Sequence, residues 1–184
     1  QVLHLAFVGA RPDVAVEAAE PSAYRIHRFD GPGPKDWTTD IQTAEAVLYR
    51  NIYADIDLKV YGSERSVEYD WIVHPGADPE RIRLSANGAG AARIDADGGL
   101  ILEAEGIEIR QSRPLAFQEI DGRRVRVEAG FEARGEAEFG FRIGAYDRAR
   151  DLVIDPWVLA YSTYLGGGKQ EYMSSVGVDA KGAI

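Results

Sequence analysis

Apolar and polar residues alternate with a period of two along most of this chain. In "SVEYDWIVH", Val67, Tyr69, Trp71 and Val73 share one face, while Glu68 and Asp70 take the other. "ERIRLSA" sets Ile82 and Leu84 against Arg81 and Arg83, and "EFGFRIGAY" brings Phe139, Phe141 and Ile143 to one side. "RRVRVEAGFEA" reads as one strand, with Val125, Val127, Ala129 and Phe131 opposite Arg126, Glu128 and Gly130. Successive strand side chains point to opposite faces, so each segment predicts a half-buried β-strand.

Turn chemistry falls between these runs. "DADGG" (Asp95 to Gly99) and "IDGRR" (Asp121, Gly122) supply the Asp-Gly pairs that favour hairpins. "HPGADPERI" combines a Pro75-Gly76 turn with a helical turn that Asp78 caps and Pro79 opens. "DIQTAEAVLYRNIYADIDLKV" fits a helix or a strand. The strand reading, with Val47 and Tyr49 on one face, is preferred because "DIDLKVYG" follows. "EAAEPSAYRIHRFDGPGPKDW", broken by prolines and glycines, predicts a loop or linker-like crossing before Trp37. Many short strands with few helical windows predict an all-β fold, an antiparallel β-sandwich over residues 1–156.

Composition narrows the function classes. A chain of 184 residues suits one domain, or one domain and a fragment of another, and no window approaches a membrane-spanning helix. The net charge of −9 disfavours a nucleic-acid partner. The densest basic stretch, "DGRRVRVEAGFEARGE", is interleaved with Asp121, Glu128 and Glu132 and reads as a solvated strand face. With no cysteine there is no disulfide, thiolate metal site or cysteine nucleophile. The chain starts at Gln1 without a signal-like run, and the natural protein is expected to extend in both directions.

Candidate chemistry is sparse. Asp55 and Asp57, two apart, would share a strand face and could begin a cation site or an acid–base pair; the plainer reading makes Asp55 a turn residue and Asp57 a backbone acceptor. "DADGGLILEAE" fails as a calcium loop, because Leu100 stands where glycine is required and Gly106 where glutamate is required. Asp70, His74 and Asp78 could form a small site only if the chain bends, since Asp70 and His74 would lie about 13 Å apart on a strand. His4, His27 and His74 show no ligand spacing. "YSTYLGGG" holds Ser162 and Thr163 with no histidine nearby, and "LGGGKQ" lacks the spacing of a phosphate loop. Tyr49, Tyr53, Tyr61, Tyr69 and Trp71 could form a sugar-stacking row but read better as core.

Several strings together resemble a known family. "LAFVGARPDVAVEA", "YRNIYADIDLKVYG", "VEYDWIVHPGADPERIRL", "IDADGGLIL", "FQEIDGRRV" and "LVIDPWVLAYSTYLGGG" occur in that order. They resemble the domain that precedes the repeats in bacterial SBBP-repeat β-propeller proteins. The most specific parts are "GADP" at Gly76–Pro79 and the junction from Ile154 to Gly167; in "YRIHRFDGPGPKDW" only Gly33 and Trp37 correspond to the family pattern. The resemblance makes 157–184 the junction and start of a truncated propeller repeat, with "SSVGVDAKGAI" as its first strand and turn. It implies a secreted or cell-surface location and supplies no catalytic residues.

The expectation is therefore a non-catalytic module that packs against or assembles propeller repeats of its own chain or of neighbouring subunits, as in an adhesin or surface appendage. Strand pairing would run through Tyr161, Ser162, Thr163, Tyr164, Leu165, Val176 and Val178. The competing expectation is a carbohydrate-binding or carbohydrate-active module using the aromatics with Asp55, Asp57 or Asp70, so glycans stand as alternative partners. No cofactor is expected; calcium stays open without a motif.

Overall fold

Alternation becomes strand nearly everywhere. The computed structural model describes residues 4–63, 66–88, 90–104 and 107–156. Its strands are β1 (His4–Phe7), β2 (Ala15–Phe29), β3 (Trp37–Tyr53), β4 (Ile56–Ser63), β5 (Ser66–Val73), β6 (Arg83–Asn87) and β7 (Ala91–Ile94), followed by β8 (Leu100–Ala104), β9 (Ile107–Gln111), β10 (Leu115–Ile120), β11 (Arg123–Val127), β12 (Ala129–Ala133), β13 (Glu138–Ile143) and β14 (Leu152–Asp155). They form a four-stranded sheet β1-β6-β13-β12, a seven-stranded sheet β11-β10-β14-β5-β4-β3-β2 and a three-stranded sheet β7-β8-β9. Every pairing is antiparallel, so the expected all-β, sandwich-like class is what the chain adopts. The segment 157–184, with Tyr161, Ser162, Thr163, Tyr164, Leu165, Val176 and Val178, lies outside the described residues.

One row crosses the large sheet from edge to edge: Val127, Ala116, Ile154, Trp71, Leu58, Tyr49 and Val16 face one another on successive strands. Its centre lies on the inner face, against Leu84, Phe131, Phe139 and Phe141 of the four-stranded sheet, with Leu100 and Leu102 of the third sheet in the same core. Trp71 has no exposed surface; its ring lies 5.6 Å from Phe7, 5.8 Å from Tyr53 and 6.4 Å from Tyr69. These pairings explain the period-two spacing of Tyr69 and Trp71 in sequence, since both are inward residues of one strand.

The turns follow their chemistry. Asp121 (φ 51°) and Gly122 (φ 72°) both adopt left-handed backbone, as a two-residue hairpin of this twist requires, and join β10 to β11. Asp95 accepts hydrogen bonds from the amides of Asp97 and Gly99 through Oδ1, at 2.9 and 2.7 Å, closing the β7–β8 hairpin. Asp78 Oδ1 accepts from the Glu80 amide at 3.1 Å and caps the short 3-10 turn Pro79–Arg81.

Two readings need correction. "RRVRVEAGFEA" is two strands in different sheets: Val127 belongs to the seven-stranded sheet and Ala129 to the four-stranded one, with Glu128 at the crossing. The alternation runs on unbroken because both sheets turn the same side of the chain toward the shared core. The expected loop before Trp37 is instead most of β2 and its turn into β3. Pro21 is tolerated because β2 is an edge strand, and Glu20 (φ 54°) marks the irregularity beside it. Since β4 pairs with β3 only from Ala46 to Tyr53, the remainder of β2 and β3 is a two-stranded arm. Its tip is closed by Phe29 against Trp37, 5.1 Å apart and edge-to-face, with the indole Nε1 donating to the Gly31 carbonyl at 3.0 Å.

Trp71 tests this core directly. Trp71→Ala is expected to cost about 3–5 kcal/mol, read as a lower denaturant midpoint; a loss under ~1 kcal/mol would mean that the two sheets do not close over this ring.

Candidate functional site

The polar residues that matter lie on the outer face of the large sheet, opposite the core. A row of charge crosses four strands there. Glu17 Oε2 on β2 accepts from Arg50 Nε at 2.9 Å, and Arg50 Nη1 on β3 donates to Asp57 Oδ2 on β4 at 2.8 Å. His74, just past β5, sits between two carboxylates: Nε2 is 3.1 Å from Asp57 Oδ2, and Nδ1 is 3.1 Å from Asp151 Oδ1. Asp57 Oδ1 also accepts from the Asn51 amide at 2.7 Å, and the Asp57 residue is only 1% exposed.

This constellation looks catalytic until its hydrogen bonds are counted. An imidazole with carboxylates at both nitrogens donates from both, which requires the protonated ring. Burial works against the charge on His74, but Asp57 and Asp151 outweigh it and raise its pKa. Burial likewise pushes Asp57 up, and the Asn51 amide, His74 and Arg50 more than offset it, leaving a lowered pKa. An imidazole whose two nitrogens both face carboxylates has no free nitrogen turned to a substrate, and the Asp57 carboxylate lies beneath Arg50 and His74. The row acts as a pin. It ties β2, β3, β4 and β5 to the loop that enters β14.

That loop is held from a second side by Gln118, a buried polar residue on β10. Its Nε2 donates to the Asp147 carbonyl at 2.8 Å and the Asp151 carbonyl at 3.2 Å, and its Oε1 accepts from the Asp147 amide at 2.9 Å. The Gly76 amide adds a bond to the Arg148 carbonyl at 3.0 Å.

A second cluster lies further along the same outer face. Tyr61 donates its hydroxyl to Asp70 Oδ1 at 3.2 Å, and Lys59 stands over the Tyr61 ring while pairing with Glu20 at 2.5 Å. Burial, then the charge of nearby Asp155, pushes the Asp70 carboxyl up to about 6. Asp155 is raised by burial and by Glu68, and Tyr61 by burial and then by Asp70 and Asp155.

The candidates from sequence therefore separate. Asp55 sits in the β3–β4 turn with φ 56°, and Asp57 bonds backbone and charge on β4, so the two do not form a pair. Asp70, His74 and Asp78 do not converge: each has its own partners. Among the described residues no group of three acids, histidines or cysteines is arranged to hold a metal ion. Tyr53 and Trp71 are core; Tyr69 offers no stacking platform either, its hydroxyl accepting from Gln111 Nε2 at 3.1 Å. Sequence reasoning missed Arg50, Asp151 and Gln118. Only Gln118 left a trace, as a polar residue in an inward position of "LAFQEI".

The inner face of the large sheet also continues beyond the core. There an open, mainly apolar groove of roughly 540 Å³ is lined by Val16, Ala44, Val47, Tyr49, Val60 and Val67, with Glu45 and Tyr61 also in its wall. Val16 is 58% exposed, Val67 39% and Val47 37%.

Comparison with known proteins adds a family and no activity. No curated protein and no solved structure matches the chain. Residues 1–157 match the model of a domain of unknown function, DUF7948, and the chain belongs to that family.

The charges of the outer face set two expectations. His74, with its pKa raised in the fold, lends stability that is complete below its unfolded value of about 6.5 and is lost as pH rises through the folded value. His74→Gln should therefore cost about 1 kcal/mol near pH 5.5, with the gap to wild type narrowing as pH rises through the folded value in paired thermal melts; a gap independent of pH would remove the charged pin. Asp70 has the opposite effect, since a raised carboxylate costs stability once ionised. Asp70→Asn should gain up to about 1 kcal/mol at pH 7, discounted for solvent screening, and nothing at pH 3.5, as urea titrations at the two pH values would read.

Proposed function

We propose that this DUF7948 domain is a non-catalytic, secreted or cell-surface module that packs against or assembles β-propeller repeats, in its own chain or in a neighbouring subunit. The observation that carries the reading is the apolar inner face left uncovered past the core, where Val16, Val47 and Val67 stand exposed beside the open groove. Such a strip suits burial against another β-structure better than the grip of a small polar molecule. The polar constellations support the same reading from the other side, because Asp57, His74 and Gln118 spend their hydrogen bonds within the fold. The resemblance of the "GADP" and "YSTYLGG" strings to SBBP-repeat proteins supports the propeller as partner and the extracytoplasmic location. In this reading Tyr161, Ser162, Thr163, Tyr164, Leu165, Val176 and Val178 contribute strand pairing to the joined unit.

A carbohydrate-binding role is the second reading, favoured by one observation: the Tyr49 ring belongs to the lining of the groove. Glycan binding lost on Tyr49→Ala, without a change in fold, would select it.

The primary reading is tested by titrating the 184-residue chain with a separately produced array of SBBP-type repeats. Binding is expected, and Val47→Asp with Val67→Asp should weaken it at least tenfold, which is ~1.4 kcal/mol. No binding, or binding indifferent to both substitutions, would defeat the proposal.

A further inference from the structure

The seven-stranded sheet ends on two edges of opposite character. One edge is β11, "RRVRV", whose Arg123, Arg124 and Arg126 are exposed and form no close ion pair among the described residues. Arg124 instead stacks its guanidinium over the Phe117 ring, 4.5 Å from the centroid. The other edge is β2, which before Pro21 reads "AVEAAE" and carries Glu17 and Glu20. On each edge the faces are sorted in the same way. On β11, Val125 and Val127 lie opposite Gln118 and Ala116 on the inner face, whereas Arg124 and Arg126 lie opposite Glu119 and Phe117 on the outer. On β2, Val16 and Ala18 lie opposite Tyr49 and Val47 on the inner face, and Glu17 lies opposite Leu48 on the outer. Val125 and Val16 are 45% and 58% exposed, so each edge also carries an uncovered valine on its inner side.

From this complementarity we propose that the β11 edge of one copy of the chain pairs with the β2 edge of a second copy. Seven antiparallel strands leave the first and last running in the same direction. A second copy displaced along the sheet, with its inner face on the same side, therefore meets the first through a parallel β11–β2 pair. A stagger of two residues from the level row places Val125 beside Val16, Arg126 beside Glu17 and Val127 beside Ala18. Apolar side chains then meet on the inner face and opposite charges on the outer. Glu17 holds Arg50 through Oε2, and its carboxylate keeps a second oxygen for the incoming guanidinium. Like edges are excluded by the same charges: β11 against β11 would oppose arginines, and β2 against β2 would oppose glutamates. The contact uses different surfaces on the two copies, so it does not close on itself and extends as a row. The 5 residues of β11 match the stretch of β2 from Ala15 to Ala19 that precedes the irregularity at Glu20. The inference deepens the assembly reading above and rests on it only for the premise that exposed sheet surfaces serve as contacts.

The test is charge-swap complementation by sedimentation equilibrium of the full chain. Wild type should exceed its monomer mass of 20.2 kDa progressively as concentration rises, and less so at high salt. The double variant Arg124→Glu, Arg126→Glu should stay monomeric alone, as should Glu17→Lys, with circular dichroism confirming that each is folded. Mixed, the two should associate again, because every edge then meets its opposite. A wild-type chain that stays monomeric to about 1 mM, association that survives either variant, or variants that fail to restore each other would each overturn the β11–β2 contact. Repeat-array binding is measured separately, so the two proposals fail independently.

Discussion

The fold depends on burying Trp71 between two sheets. Its strand, β5, is central in the seven-stranded sheet, and its inward residues Tyr69, Trp71 and Val73 meet the four-stranded sheet while Asp70 and Ile72 face away. The row through Trp71 extends to both edges, so the position of this one ring fixes the register of all seven strands. A slip of one residue on any of them would carry its apolar set to the outer face. Aromatic contacts with Phe7 and Tyr53 add the first and third strands of the chain to the same centre.

The outer face shows what happens to polar residues once the core has set the register. Asp57 is brought under Arg50 and His74 because Leu58 and Ile56 must point inward. A buried carboxylate is tolerable only with several donors, and here a backbone amide, a guanidinium and the His74 imidazole surround it. Asp70 is served less well, with one phenol and a neighbouring acid, and its carboxyl rises to about 6. Burial raises both aspartates; the donors around Asp57 outweigh it, while the single phenol at Asp70 does not, so the two carboxyls move in opposite directions.

Much of this was legible along the chain, for a physical reason in each case. Period-two alternation fixes strands because a strand has two faces, and Asp-Gly fixes hairpins because two consecutive left-handed residues are otherwise costly. The arm was hidden because prolines and glycines signal loops, and only an edge position reconciles Pro21 with a strand. The break at Glu128 was hidden because crossing between facing sheets preserves alternation. The His74 pin was not readable at all: Arg50, Asp57, His74 and Asp151 are joined by strand order, which sequence spacing does not encode. Gln118 was the exception, since a glutamine where the pattern demands an apolar residue has to find partners inside the fold.

The same register that fills the interior also decides what stands on the two edges. A sheet of this size must end, and an unprotected edge recruits other strands indiscriminately. Along β2 the left-handed backbone at Glu20 and the register shifts that follow Pro21 interrupt the strand, leaving Ala15 to Ala19 as the regular part of that edge. On β11 the arginines at 123, 124 and 126 keep identical edges apart. Charges placed only to discourage pairing would serve equally well with one sign on both edges. Opposite signs, each on the outer face above an exposed inner valine, discourage every pairing except that of one edge with the other.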